Sequence, residues 1–371
     1  MAYGPLVPDL TPREAGLRLL ALDRDYLWQV GQACIRRPQA TVWPMLCTLQ
    51  HLALINYEGR KYLERFDPGQ LPAVPSLEGD AVRASRHANK LFLDTDRYVD
   101  GVAEHYGLIS KQHHHVFFAD ARGRLGRLLD WLRDDLGVVR YRQHLIGTTH
   151  TVHYNSGLPP EAFGPAAAMG QRMHEMARGM AAFAQPDPDS VAEGTACWLD
   201  LVDEHEVESS DAKSWKLYES VFAGNVPANM AAALISVQAA CSTAELLTGE
   251  TPRLPGGSWP VAVLKLRYIT LFQVLDSLKR LAEVHGMALP GPEFFSPEVQ
   301  EVLSPGGRAL RNTLVHYGVI IPRVTSLPAD RPLFGLVELL MGGLKYDELC
   351  AMVDELLRDS SEFLRGWSGI H

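Results

Sequence analysis

The feature that most constrains this chain is a helical hydrophobic period, repeated in segment after segment and punctuated by proline and glycine. From Trp43-Pro44 to Phe66, apolar residues fall at Leu46, Leu49, Leu52, Leu54, Ile55 and Leu63, the spacing of an amphipathic helix. Pro68, Pro72 and Pro75 then impose a loop. Asp80 to His105 reads as a second helix, closed at Gly107. His113 to Leu136 reads as a third, with Phe117, Phe118, Leu125, Leu128, Leu129 and Leu132 on one face and Gly137 at its end. Val138 to Tyr154 mixes β-branched, aromatic and histidine residues and fits either a strand or a short helix.

Residues 155–165 read as a linker or long loop, and the Ala/Met-rich stretch 166–184 as a helix ended by Pro186 and Pro188. Beyond an acidic segment, Asp200 to Asp211, the pattern is helical throughout. Val226–Leu247 is closed by Gly249, Pro260–His285 by Gly286 and Pro290, and Ser304-Pro305 opens a further helix with serine as N-cap. The last helices span about Leu333–Met341 and Tyr346–Leu364. The expected fold class is all-α. It comprises a mainly helical N-terminal domain over 1–155, a linker or connecting helices over 156–210, and an antiparallel helical bundle over 211–371. A short internal echo pairs Lys90-Leu-Phe…Ala103-Glu-His-Tyr-Gly107 with Thr270-Leu-Phe…Ala282-Glu-Val-His-Gly286. Each is followed by Val-His-Tyr, at Val152–Tyr154 and Val315–Tyr317, so the N-terminal half reads as a candidate degenerate second bundle.

At 371 residues the chain has room for two ordinary domains, and 46% hydrophobic with 21% charged residues is the composition of a soluble globular protein. The formal charge is −9, with 21 basic and 27 acidic residues in 1–210 and 14 and 17 in 211–371. Neither half is a basic module that binds nucleic acid by massed counterion release, so any RNA contact must come from a local patch. Lys265, Arg267, Lys279, Arg280, Arg308 and Arg323 fall around the motif described below. The five cysteines are dispersed, which suits free thiols in a reducing compartment. Met1-Ala-Tyr-Gly-Pro lacks a secretion-signal pattern. Gln238, Ser242 and Glu245 interrupt the apolar stretch Asn229–Leu247, which reads as a buried helix rather than a membrane span. A cytoplasmic location without membrane association is expected.

The chemistry-bearing segment is Gly307-Arg-Ala-Leu-Arg311-Asn312-Thr-Leu-Val-His316-Tyr317. On a helix, Asn312 and His316 share a face, and Arg311 sits next to it with a side chain long enough to reach round. A guanidinium, an amide and an imidazole together suit RNA cleavage by internal transesterification. The imidazole moves a proton near neutral pH, and the guanidinium stabilises charge on the phosphoryl oxygens. The amide orients the imidazole or binds the phosphate. This chemistry requires neither metal nor cofactor.

Arg-Asn-x-x-x-His followed by Tyr, late in an all-helical domain, resembles the signature of the HEPN superfamily over roughly the last 150 residues. The resemblance implies a four- or five-helix bundle that dimerises, with the motifs of two copies meeting across a ribonuclease cleft. By that likeness Arg311, Asn312 and His316 take the catalytic positions. Tyr317 and Arg308 support them, and His153 is a candidate opposing acid or base within an internal pseudo-dimer. The implied partners are RNA, a second copy of the chain, and an antitoxin or regulatory protein of a bacterial toxin-type or antiviral defence system.

Two other readings stay open. One is a non-catalytic helical binding or scaffold protein on the same fold. The other is a metal enzyme built on His144, His150 and His153, with His113, His114 and His115 upstream, although no H-E-x-x-H or Cys/His spacing accompanies them. Trp198, Trp215, Trp259 and Trp367 read as packing residues.

Overall fold

Thr11 caps a helix that precedes all of the segments read above. Its hydroxyl accepts from the Glu14 backbone N–H, and the Glu14 carboxylate accepts in return from the Thr11 N–H at 2.8 Å, a closed capping box. The computed structural model describes residues 9–91 apart from Pro75, residues 104, 107–109, 134–157 and 166–184, residues 197–285 apart from Pro255, and 296–370 apart from Ile320 and Pro322. Helix α1 spans Pro12–Arg36, α2 Pro38–Phe66 and α3 Ser76–Leu91. Pro44 therefore lies inside α2 rather than at its start, and Pro38 occupies the first turn. The expected helix from His113 lies outside the described residues, and its last residue, Leu136, begins a strand.

The ambiguous stretch resolves into both alternatives in turn. β1 (Leu136–Tyr141) and β2 (His144–Thr148) form an antiparallel hairpin, and α4 (Thr149–Asn155) follows directly. The hairpin turns on Arg142 and Gln143, both at positive φ (48° and 64°), the backbone of a tight hairpin turn usually given to Asn or Gly. Arg142 is held there by Glu206 and Glu250 at 2.6 and 2.5 Å. After α5 (Ala166–Phe183), part of the acidic segment becomes β3 (Val207–Ala212), which pairs with β1 from Leu136↔Ala212 to Tyr141↔Val207. The sheet order is β2-β1-β3. The fold is mainly all-α, as expected, with one small antiparallel sheet.

The rest is helical: α6 (Ser214–Ser220), α7 (Ala228–Ser242), α8 (Val261–His285), α9 (Pro297–Leu303), α10 (Pro305–His316), α11 (Leu336–Leu340) and α12 (Tyr346–Ser368). α7 packs on β2, α8 and α12, and a π-turn, Thr243–Leu247, continues it. The Arg267 guanidinium donates to the Ala244 and Glu245 carbonyls of that turn, satisfying groups the widened helix leaves over. Met230–Glu250 is long and apolar enough to cross a membrane by composition, yet 72% of its most apolar 18-residue window is buried within the fold. Its apolar surface is spent on core packing, as the polar interruptions suggested.

Among the described residues, one hydrophobic core takes in side chains from Leu10 to Ile370 and draws on both sides of each expected boundary. β3 straddles 210/211, α1 packs on α8, and α2 packs on α10. This last contact places a side chain of the N-terminal half against the motif helix.

Candidate functional site

Ser304 opens α10 by accepting the Gly307 N–H at 3.0 Å, and Pro305 fills the first turn. Leu310, Thr313, Leu314 and Val315 are buried and fix the helix, which ends at His316. Tyr317 then turns left-handed at φ 58°. α10 lies between α2 and α8, so the step of about 100° per residue decides which neighbour each motif side chain meets.

His316 meets α2. Its Nδ1 lies 2.9 Å from Glu58 Oε2, while 47% of the side chain stays exposed. Glu58 is buried, and its other oxygen accepts from Arg86 Nε and Nη2 at 3.0 and 2.9 Å. Burial pushes the Glu58 carboxyl upward, but the hydrogen bond from His316 and the Arg86 charge outweigh it and hold it at about 2. At neutral pH Glu58 is therefore an acceptor only. It fixes the proton on Nδ1 and leaves Nε2 as the nitrogen through which His316 can act.

Beside this pair runs a groove of about 510 Å³, lined by Glu58, Lys61, Tyr62, Arg65 and Phe66 of α2, by Pro12 and Arg13 of α1, and by His316, Gly318 and Val319. Glu58, Lys61, Tyr62 and Arg65 follow one another at i, i+3, i+4 and i+7, a single face of α2. Three cations, Arg13, Lys61 and Arg65, surround one imidazole and one carboxylate already neutralised by Arg86. The cations are braced on aromatic rings: Lys61 Nζ sits 4.5 Å from the Tyr57 ring centre, and Arg65 Cζ sits 4.9 Å from that of Phe66. Arg13 donates to the Phe66 carbonyl. Lys61 is raised by its hydrogen bond to Tyr57 and stays charged. α1 comes this close only because residue 16 is glycine. A Cβ there would lie 2.1 Å from the Tyr62 hydroxyl and 2.4 Å from the Tyr317 carbonyl oxygen.

The other motif residues point elsewhere. Arg311 turns to α8, where its Cζ lies 5.6 Å from the Phe272 ring centre, and its Nη1 donates to Asn312 Oδ1 at 2.7 Å. Asn312 is exposed, one turn before His316 on the outer ridge of α10. Neither lines the groove, so the structure does not gather the three motif side chains round one point. Arg308 sits over the same Phe272 ring at 5.5 Å, with Asp276 at 3.7 Å. Tyr317 is fully buried; its hydroxyl donates to Asp23 Oδ2 at 2.6 Å and its ring lies 5.8 Å from that of the groove-lining Tyr62, so it backs the groove without lining it. His153 is also fully buried, on α4, and does not line the groove.

Several neighbouring expectations change. Lys265 and Arg267 do not form a surface patch. Lys265 is buried in an ion pair with Asp23, and Arg267 is buried against Asp354 at 2.7 Å. His144 meets Arg365 at 3.2 Å and His150 meets the Tyr218 hydroxyl at 2.8 Å, so these histidines take separate partners. Among the described residues no group of three or more His, Cys, Asp or Glu side chains is placed to hold a metal, and His113, His114 and His115 lie outside them. Trp198 and Trp259 are core residues, while Trp215 is 48% exposed.

Glu58, Lys61, Arg65 and Arg13 are the site residues that the motif did not disclose. A signal for Glu58 was present. It falls three residues after Ile55 and four after Leu54, on the buried face of an apolar run, where an acid needs a partner.

No known protein family, curated protein or solved structure matches this chain.

Proposed function

We propose that the protein is a metal-independent endoribonuclease of the HEPN kind, with His316 as its proton carrier and the α2 groove as its RNA cleft. One observation carries the reading: an imidazole at a cationic groove, held by its Nδ1 on a buried carboxylate. In this reading His316 Nε2 takes the proton of a ribose 2′-OH. The 2′-oxygen attacks the adjacent phosphorus, the bond to the 5′-oxygen breaks, and the products are a 2′,3′-cyclic phosphate and a 5′-hydroxyl. Glu58 stabilises the imidazolium as it forms, in the role a buried carboxylate plays beneath a catalytic histidine. Lys61, Arg65 and Arg13 offset the charge on the phosphoryl oxygens.

In-line displacement puts entering and leaving oxygens on opposite sides of phosphorus. The leaving 5′-oxygen therefore needs a second donor, which a homodimer supplies as the His316 of a second copy. Restraint by an antitoxin or regulatory protein, a role in toxin-type or antiviral defence, and a cytoplasmic location complete the proposal. RNA incubated with the purified protein in EDTA tests it. Cleavage with cyclic-phosphate ends is expected, and His316→Ala should abolish it without unfolding the chain. Intact RNA under all conditions would contradict it.

The placement of Arg311 on Phe272, away from the groove, favours the second reading, a non-catalytic helical binding or scaffold protein. That reading predicts no strand scission and no phosphate bound near Arg311.

A further inference from the structure

The groove beside His316 has two kinds of lining, and the chemistry proposed for it uses only one. Arg13, Lys61, Arg65 and His316 serve the phosphodiester. The rest of the lining is apolar: Pro12 at the start of α1, Tyr62 and Phe66 of α2, and Val319 beyond α10. A phosphodiester has no use for an apolar floor, whereas a nucleobase does, because every base presents a flat π-face. The groove's volume of about 510 Å³ lies within the range of sites that enclose a ligand with both flat apolar and polar parts.

Phe66 is the aromatic member of that floor a ligand can reach. Tyr62 and Val319 are buried, while Phe66 is only partly so. Its position is fixed by its neighbours. The Tyr62 ring packs on it with centres 4.6 Å apart, and the Tyr317 ring lies 5.8 Å from that of Tyr62. Arg13 donates to the Phe66 carbonyl, and Asp67 closes α2 by donating its N–H to the Leu63 carbonyl at 2.8 Å. A ring held this way has little freedom left to lose when a flat ligand settles on it. The exposed Arg65 places its Cζ 4.9 Å from the Phe66 ring centre, so guanidinium and ring form one surface. Bases pack on both kinds of group. Phe66 follows Glu58 by eight residues, about 12 Å along α2, which keeps this surface within a nucleotide or two of the imidazole.

Resting on the ribonuclease reading of the groove, we infer that Phe66, with Arg65 beside it, is a base-stacking subsite that holds one nucleobase flanking the cleaved step. The floor offers that base a face and little else. Its one polar side-chain atom, the Tyr62 hydroxyl, is committed to the Arg13 carbonyl at 3.2 Å. The subsite therefore senses the presence of a base rather than its identity.

The experiment compares binding of the full chain to a short, uncleavable 2′-O-methyl RNA and to its fully abasic counterpart, which has the same sugars and phosphates and the same charge. The parent should bind the abasic strand roughly tenfold more weakly. Phe66→Ala should bind the two strands nearly alike. Phe66→Leu, which keeps an apolar contact for Tyr62 but has no π-face, should do the same and guards against an alanine variant that does not fold. Equal binding of both strands by the parent, with both lost in Lys61→Ala/Arg65→Ala, would overturn the subsite and leave the cationic groove standing. A preference for the base-bearing strand that survives in both Phe66 variants would also overturn it, since the base would then lie elsewhere. No binding of either strand by the parent would sink the groove reading and the subsite together.

Discussion

Two buried carboxylates lie beneath the end of α10, and their difference separates chemistry from architecture. Asp23 of α1 meets the Lys265 ammonium and the Tyr317 hydroxyl, all buried, with the ammonium 4.1 Å from the Tyr317 ring centre. Glu58 of α2 meets Arg86, also buried, and His316, which is half in solvent. Both carboxylates are satisfied by one cation and one further donor. Only Glu58 spends a hydrogen bond on a group that a molecule in the groove can reach. The sealed trio fixes where α10 ends. The open one leaves the His316 imidazole within reach of the groove.

If this division is right, substitutions should separate cleanly between stability and turnover. Asp23→Ala leaves the Lys265 ammonium buried without its partner and should cost about 3–5 kcal/mol, read from urea denaturation. The folded fraction should keep its turnover number. A fall in turnover without loss of stability would move Asp23 into the chemistry. Glu58→Gln keeps a side chain of the same shape but removes the charge beneath the imidazole. It should lower kcat for RNA cleavage by roughly a hundredfold, and a variant as fast as the parent would reduce Glu58 to packing. Lys61→Ala/Arg65→Ala should cost more in kcat/KM than Arg311→Ala, and the reverse order would return phosphate binding to the motif arginine. Tyr317→Phe is the mildest change. It removes one hydrogen bond to a charged acceptor and should destabilise by about 1.5–3 kcal/mol.

Acid should sharpen the same contrast. His51 is buried against Thr270 at 2.9 Å, and burial, with the Lys265 charge, holds it at about 4 against an ordinary 6.5. Its folded form resists the proton that the unfolded chain accepts. Stability is therefore lost as pH falls from 6.5 toward 4. The Glu58 carboxyl is likewise depressed, to about 2 from 4.5, so its contribution is complete above 4.5 and disappears as pH falls toward 2. Denaturant midpoints against pH should show two declines, and His51→Gln should remove only the first.

The helices that the sequence disclosed have periodic cores and marked ends, whereas α1 went unread although Thr11, Pro12 and Glu14 mark its start. α8 follows Pro260 and ends at His285, and α10 opens on the Ser304 cap the sequence announces. β3 was not legible. Its residues, Val-Glu-Ser-Ser-Asp-Ala, are mostly exposed on an edge strand, so no alternation of apolar and polar residues advertises it. The motif located His316 but not its partner, because Glu58 is 258 residues away and only the packing of α2 on α10 brings them together. Arg311 defeated the helical-face argument for a different reason. A long side chain beside a face can swing to either neighbour, and the Phe272 ring on α8 offers it a place to rest.

If His316 supplies the proton transfer at an open, cationic groove, its imidazole should be replaceable by a free one. His316→Gly should be folded and unable to cut RNA. Added imidazole, small enough for the vacated position beside Glu58, should restore cleavage in proportion to its concentration. Cleavage by His316→Gly at the parent's rate, without imidazole, would contradict the claim.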